Sequence, residues 1–430
     1  MKKKVLLISP YFPPHKAIGT KRAINFVQGV HGKDDWEVIV LASKPFNDNV
    51  DSELNEYIPE GVEVNYDFIG LLRPLIKLFS GGSKKKKVTK SAPMVKVEMN
   101  VSKPKKKLSY TPFDQYLWDV NGAIRCGSKL IEQHKPDVIW VNADPWSGFL
   151  VARSLSNKFE IPWVADMRDP WSIFKRKMDL RPSFTQNLIK KYEAKFFTSA
   201  SRVVLNSSAA YEEYLTHYSL DNKFTFIRNA FNNDLLSEKD SRSEGVTKSF
   251  TFGYYGGFRD FVPSNYILQG FATFIKDNSL DPSHVKLEVV GSVYDEFWKQ
   301  VRDLQLEDFV VFGEAINSSE AIGLLRSWDV LLICAIEELR WQMPAKFYDY
   351  LYARKPMLAV SDNLELNRLI DETESGKWAR IEDATKTAEL FYHYFKSGKT
   401  ELLQNETLIK PFDSDTQAQN FRKILKEVSK

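Results

Sequence analysis

Residues 341–360 gather side chains that could handle a phosphorylated sugar. Pro344 precedes Lys346 and Asp349, and Phe347, Tyr350 and Leu351 recur at i, i+3 and i+4. This spacing predicts a helix with one apolar face. Pro344 suits the first helical position, where its missing N–H loses no partner. Lys346 would then set an ammonium beside the free N–H groups and the positive dipole end, an arrangement that binds phosphate. Asp349, one turn further in, can accept hydrogen bonds from sugar hydroxyls. A Lys–Asp surface pair on an ordinary α/β helix fits the same residues. Pro356 is expected to end the helix, and 357–360 to form a short buried strand.

A second group follows two predicted strands of the first half. Asp144 lies in the loop after the strand 137–142, and Asp166, Arg168, Asp169 and Trp171 follow the strand 162–165. Open α/β sheets place ligands at the carboxyl ends of their strands. Two acids, an arginine and a tryptophan there are more than a turn requires and mark a candidate functional site, and a structural salt-bridge cluster fits them too. In the second half, Gly257 and Gly291 sit in turns at the ends of predicted strands. The six histidines are scattered, with no HExxH or Cys/His spacing, so no metal site is expected. Cys126 and Cys334 lie in apolar runs and read as core thiols of a reducing compartment. The opening βαβ pattern lacks G-x-G-x-x-G, and no cofactor is expected.

These residues need a scaffold of alternating strands and helices. At 430 residues, with 43% hydrophobic and 27% charged residues, the chain suits two globular α/β domains with parallel sheets. The first domain spans 1–236. A polar stretch without apolar period marks a linker at 237–249, and α/β alternation resumes over 250–410. The opening strand 5–8 is followed by a loop and a helix that Thr20 can cap. Its apolar run is too short for a signal peptide, which needs roughly 7–15 apolar residues. No run reaches the ~20 apolar residues of a transmembrane helix.

The net charge of +4 is unevenly placed, since residues 84–107 carry ten lysines against the single acid Glu98. They belong to a basic, mobile insertion over 68–112. Before them, Leu72, Leu75, Ile76 and Phe79 would share a helical face. This pairing suits an anionic membrane surface, and a buried helix with a solvated loop fits as well. Lysines without interleaved aromatics do not suggest nucleic acid.

The 341–360 run, followed by Lys355-Pro356 and an apolar strand, resembles the second-domain signature of retaining GT-B glycosyltransferases of family four. The resemblance extends over nearly the whole chain except roughly 68–112. It implies two Rossmann-like parallel-sheet domains with a donor cleft between them, and a final helix over 411–430 that crosses back to the first domain. It implies that Lys346 faces the donor diphosphate and Asp349 the nucleotide ribose. Arg259, beside Gly257, is implied near the donor phosphates, and Gly19 approaches them from the first-domain loop. Lys21 and Arg22 beside Gly19 also read as solvated cations around a tight turn. Asp169 matches an active-site-facing aspartate, with Arg168 where relatives often carry histidine. Trp341 stands in place of the first glutamate of the family's paired motif, and Asp349 in place of the second. The expected activity is metal-independent transfer from a nucleotide diphosphate sugar to a lipid-linked or polysaccharide acceptor, in cell-surface polysaccharide synthesis. The protein would be cytoplasmic and peripheral to the inner face of the membrane. A nucleotide-sugar 2-epimerase of the same fold, or a non-catalytic nucleotide-sugar-binding protein, are the alternatives.

Overall fold

The apolar runs of the first half lie side by side as a parallel sheet. Its strands are β1 (Lys3–Ser9), β2 (Trp36–Ala42), β3 (Glu63–Asn65), β4 (Val138–Ala143), β5 (Trp163–Met167), β6 (Arg202–Leu205) and β7 (Phe224–Phe226), in the order β3-β2-β1-β4-β5-β6-β7. The second half forms another sheet from β8 (Phe250–Tyr255), β9 (Val285–Val290), β10 (Val310–Gly313), β11 (Val330–Ala335), β12 (Met357–Ser361) and β13 (Gly376–Ala379). Its order is β10-β9-β8-β11-β12-β13. The computed structural model describes residues 2–45, 50–70, 110–220, 222–234, 249–258, 264–293, 295–314, 316, 318–398 and 405–429. Arg259, most of the 237–249 stretch and most of the lysine-rich insertion, including the 72–79 stripe, lie outside the described residues.

β11 reads as an unbroken apolar run and β4 as one interrupted only by Asn142, because both faces of each sheet are covered by helices, and every residue of either strand is buried. Strand order reverses between β1 and β4 in one sheet and between β8 and β11 in the other. Crevices open at such reversals, at the carboxyl ends of the strands. β4 runs there into Asp144, and β8 into Gly256.

The two halves also meet. The last helix, Ser414–Val428, packs against the first, Ile18–Val30, with the Phe421 ring 5.2 Å from that of Phe26. Among the described residues no helix is long and apolar enough to cross a membrane.

Two local expectations need correction. Thr20 does not cap the first helix. That helix starts at Ile18, and the Thr20 hydroxyl donates instead to the carbonyl of His15 at 2.9 Å. The helix of the 341–360 run spans Ala345–Ala353, so Pro344 is its N-cap rather than its first residue. With ψ at 122° Pro344 is still extended, yet its carbonyl already accepts from Phe347 N at 3.0 Å. Arg354, in the left-handed region at φ 59°, ends this helix before Pro356 is reached.

Candidate active site at the cleft between the sheets

The second-sheet side is built on a turn of two glycines. Gly256 has φ +110° and Gly291 φ +150°, and a Cβ on Gly291 would stand 2.2 Å from the Gly256 carbonyl oxygen. Neither residue therefore tolerates a side chain. The positive φ belongs to Gly256 and not to Gly257, whose carbonyl accepts from the Tyr254 hydroxyl at 3.4 Å. Lys346 reaches across from the helix Ala345–Ala353, with Nζ 3.6 Å from the centroid of the Tyr254 ring and 3.4 Å from where a Gly256 Cβ would lie. An ammonium, a glycine turn and a helix N-terminus thus converge at the β8/β11 crevice. Together they can hold the oxygens of a phosphorylated ligand.

Asp349, one turn along the same helix, points across the cleft. Its carboxylate accepts from Lys21 Nζ at 3.2 and 3.4 Å, and only 15% of its side chain is exposed. On this side the cleft narrows to a cavity of about 40 Å³ bordered by Lys21, Arg168, Arg228, Tyr348 and Asp349. Pockets for drug-sized ligands run to roughly 300–1,000 Å³. A ribose that takes Asp349 as acceptor would therefore have to displace Lys21. A larger groove of about 580 Å³ lies among Phe226, Leu369, Phe412 and Ile424, and none of the expected site residues lines it.

The first-sheet side brings Gly19, Asp144, Arg168 and Asp169 together. A Cβ on Gly19 would fall 2.0 Å from an Arg168 guanidinium nitrogen, so the glycine makes room for that side chain. Arg168 lies 3.6 Å from Asp169, and Asp169 accepts from Gln342 of the second half at 2.8 Å. Asp144 is 3.8 Å from Lys177. Its side chain is 26% exposed, yet the surrounding protein desolvates the carboxylate and raises its pKa. Asp169 and Asp114 push the same way, while Lys177 and Arg168 oppose them. Beside it, burial and the charge of Asp144 push the Tyr11 hydroxyl up to about 12.

Two neighbouring residues are structural. Arg22 is buried rather than solvated and holds Asp166 through a forked contact at 2.6–3.1 Å, with Trp140 donating to the same carboxylate. This ties the first helix to β5. The strand-end loops are tied by stacking of Trp146 on Trp171, with centroids 5.0 Å apart and planes at 12°. Buried Glu193 fixes the second loop, accepting from Ser172 N at 3.0 Å, from the Ser172 hydroxyl, and from Tyr214 at 2.7 Å.

The cross-cleft partners escaped the reading of the sequence. Lys21 and Gln342 meet Asp349 and Asp169 over long chain separations. Glu365 of the second half is buried against Ser208 and Ala209. A glutamate one turn into a predicted helix carries no local sign of such a partner. Trp341 has a definite place: it is buried in the core cluster of the first sheet, and its carbonyl accepts from the Ser207 hydroxyl at 2.9 Å. The position of the motif glutamate thus serves docking between the halves.

Residues 96–235 match the model of Glycosyltransferase Family 4. No curated protein matches the sequence. The structure is similar to that of Anabaena HepE solved in complex with UDP-glucose, at 16% identity and a TM-score of 0.63 over 99% of both chains. It is also similar to a glycosyltransferase from Rickettsia africae, at 12% identity and a TM-score of 0.66, covering 100% of this chain and 99% of that one. Sucrose-phosphate synthase from Thermosynechococcus elongatus gives 13% and 0.62 over 99% of both chains. These likenesses establish the GT-B fold.

Proposed function

We propose that this chain, a glycosyltransferase of GT-B fold and family-four type, holds a nucleotide diphosphate sugar on its second sheet and an acceptor on its first. The observation that carries the reading is Lys346 beside the Gly256–Gly291 turn, at a strand-order reversal facing the one that bears Asp144. Negative charge grows on the diphosphate as the glycosidic bond breaks. A fixed ammonium and helix N-terminus stabilise that charge more in the transition state than in the ground state. Arg259 is proposed to join them from its place in the sequence beside the turn. Asp349 is proposed for the ribose, and Gly19 for a close approach to the phosphates from the opposite side. A uridine diphosphate sugar is the first donor to try, because the similar HepE was solved with UDP-glucose.

Asp144, Arg168 and Asp169 would face the acceptor, a lipid-linked or polysaccharide chain. Retention at the anomeric carbon is proposed with them. Transfer is expected to persist in EDTA, since the leaving diphosphate is met by protein cations. Donor binding is tested by thermal shift in UDP-glucose and related nucleotide sugars, and a ligand at 100 times its Kd adds ~2.7 kcal/mol. No shift with any nucleotide sugar would overturn the donor reading. The burial of Trp341 at the motif position favours one second reading, a nucleotide-sugar-binding protein without turnover. A thermal shift with no release of free nucleotide diphosphate in the presence of acceptor would select it.

A further inference from the structure

The helix Ser183–Ser199 covers the first sheet beside the proposed acceptor mouth. Its inner side buries Thr185, Ile189, Glu193, Phe196 and Phe197. Its outer side exposes Phe184 (55%) and Leu188 (38%), together with Lys190, Lys191 and Lys195. Phe184, Leu188, Lys191 and Lys195 follow at i, i+4, i+7 and i+11 and so form one stripe. The only acid of the helix, Glu193, is buried, so every exposed charge on the outer face is positive, with the apolar side chains at one end and the lysines towards the other.

The apolar end is extended by a neighbour. Tyr110 is 63% exposed, and its carbonyl accepts from the Thr185 hydroxyl at 3.0 Å, which fixes its backbone at the first turn of this helix. The short helix Lys175–Met178 adds exposed Lys175 and Arg176. Gln186 joins the two helices by donating to the carbonyls of Met178 at 3.1 Å and Arg181 at 2.9 Å. Lys177, in the same short helix, is the residue that reaches Asp144. The face therefore ends at the first-sheet crevice.

We propose that this face docks the protein on an anionic lipid bilayer, with Tyr110, Phe184 and Leu188 entering the interface and the five cations lying among the headgroups. Exposed apolar side chains scattered singly are ordinary. Here they form one stripe with cations, and the single carboxylate between the two helices, exposed Asp179, leaves the face strongly basic, the composition of an interfacial helix. Aromatic rings suit the boundary between headgroup and acyl chain, and lysines are drawn to anionic lipid. The convex outer surface of a helix gives a peptide no groove to enter. The inference rests on the proposed function only for its purpose, which is to bring a lipid-borne acceptor to Asp144.

The test is sedimentation of the full chain with phosphatidylcholine vesicles and with vesicles containing phosphatidylglycerol. Two variants join the wild type: Phe184→Ser with Leu188→Ser, and Lys190, Lys191 and Lys195 each changed to Glu. Wild type is expected to bind the anionic vesicles only, and each variant to lose tenfold or more of that binding. Both variants change exposed residues, and a cooperative melt at the wild-type temperature shows that they fold. Variants that bind as well as wild type overturn the proposal, even if deleting residues 84–107 abolishes binding. Equal binding of wild type to both vesicle types, or to neither, overturns it as well. A missing UDP-glucose shift in wild type would count against the donor reading and leave the vesicle result standing.

Discussion

At the scale of single residues, the structure brings several chemically able side chains to one cleft. Lys346 lies against a glycine turn, where a phosphate contact through an ammonium is worth about 1.5–3 kcal/mol. Lys346→Ala should weaken donor binding by roughly one to two orders of magnitude and leave the fold intact, as titration with UDP-glucose would show. Undiminished affinity would remove Lys346 from the donor site. Asp144 offers a different measurement. Burial raises its pKa, so the folded state holds its proton more tightly than the unfolded chain does. Stability therefore falls as pH rises from the ordinary carboxyl value to the raised one, and the penalty persists above. Asp144→Asn should melt higher than wild type at pH 7 and show no such gain at pH 3.5, while transfer falls. An equal gain at both pH values would mean that the ionised carboxylate carries no penalty. Residue types and spacing revealed Lys346, Asp349, Arg168 and Asp169 as candidates because their neighbours in sequence form the helix start and the strand end. They did not reveal that Lys21 occupies Asp349 or that Gln342 occupies Asp169, for those pairs exist only once the sheets face each other.

At the scale of elements, the apolar runs and turn residues announced parallel sheets, and the structure has them. The pattern works because strands covered on both faces must be apolar along most of their length. Boundaries were less legible. Pro344 fits a helix start by its ring geometry, but the chain turns helical only at Ala345. The ties between loops were hidden too. Trp146 and Trp171 look like separate aromatics in separate turns, and only the parallel pairing of β4 with β5 stacks them. The glycine turn gives this scale its prediction. Gly291→Ala would force a side chain into a left-handed position and against the Gly256 carbonyl. The strain is of order 1–3 kcal/mol, relieved only if the turn beneath Lys346 moves. The melting temperature should drop and UDP-glucose affinity should fall together. A variant with unchanged melting and unchanged affinity would show that the turn is dispensable.

At the scale of the whole molecule, the question is what makes two sheets with separate cores behave as one unit. Part of the answer is a carboxylate. Glu365, in the first turn of the helix Leu364–Glu372 of the second half, has a side chain only 3% exposed. It accepts from Ser208 N and the Ser208 hydroxyl at 3.1 and 3.0 Å, and from Ala209 N at 3.1 Å. These groups open the helix Ser208–His217 of the first half, whose positive dipole end favours a negative charge. Arg228 stands 3.8 Å away, and Arg368 donates to the same Ser208 hydroxyl at 3.0 Å. Removing the carboxylate leaves two helix-start amides and a guanidinium without their acceptor. An abandoned buried group costs about 1–3 kcal/mol. Glu365→Ala should therefore lower the melting temperature by several degrees, given about 2–4 °C per kcal/mol for domains of this size. The loss falls on contact between the halves rather than inside either core, so calorimetry should show the transition broaden or split in two. Glu365→Gln keeps one acceptor oxygen and should lie between alanine and wild type. A single sharp transition at the wild-type temperature in the alanine variant would show that the halves are coupled elsewhere, through the last helix against Phe26.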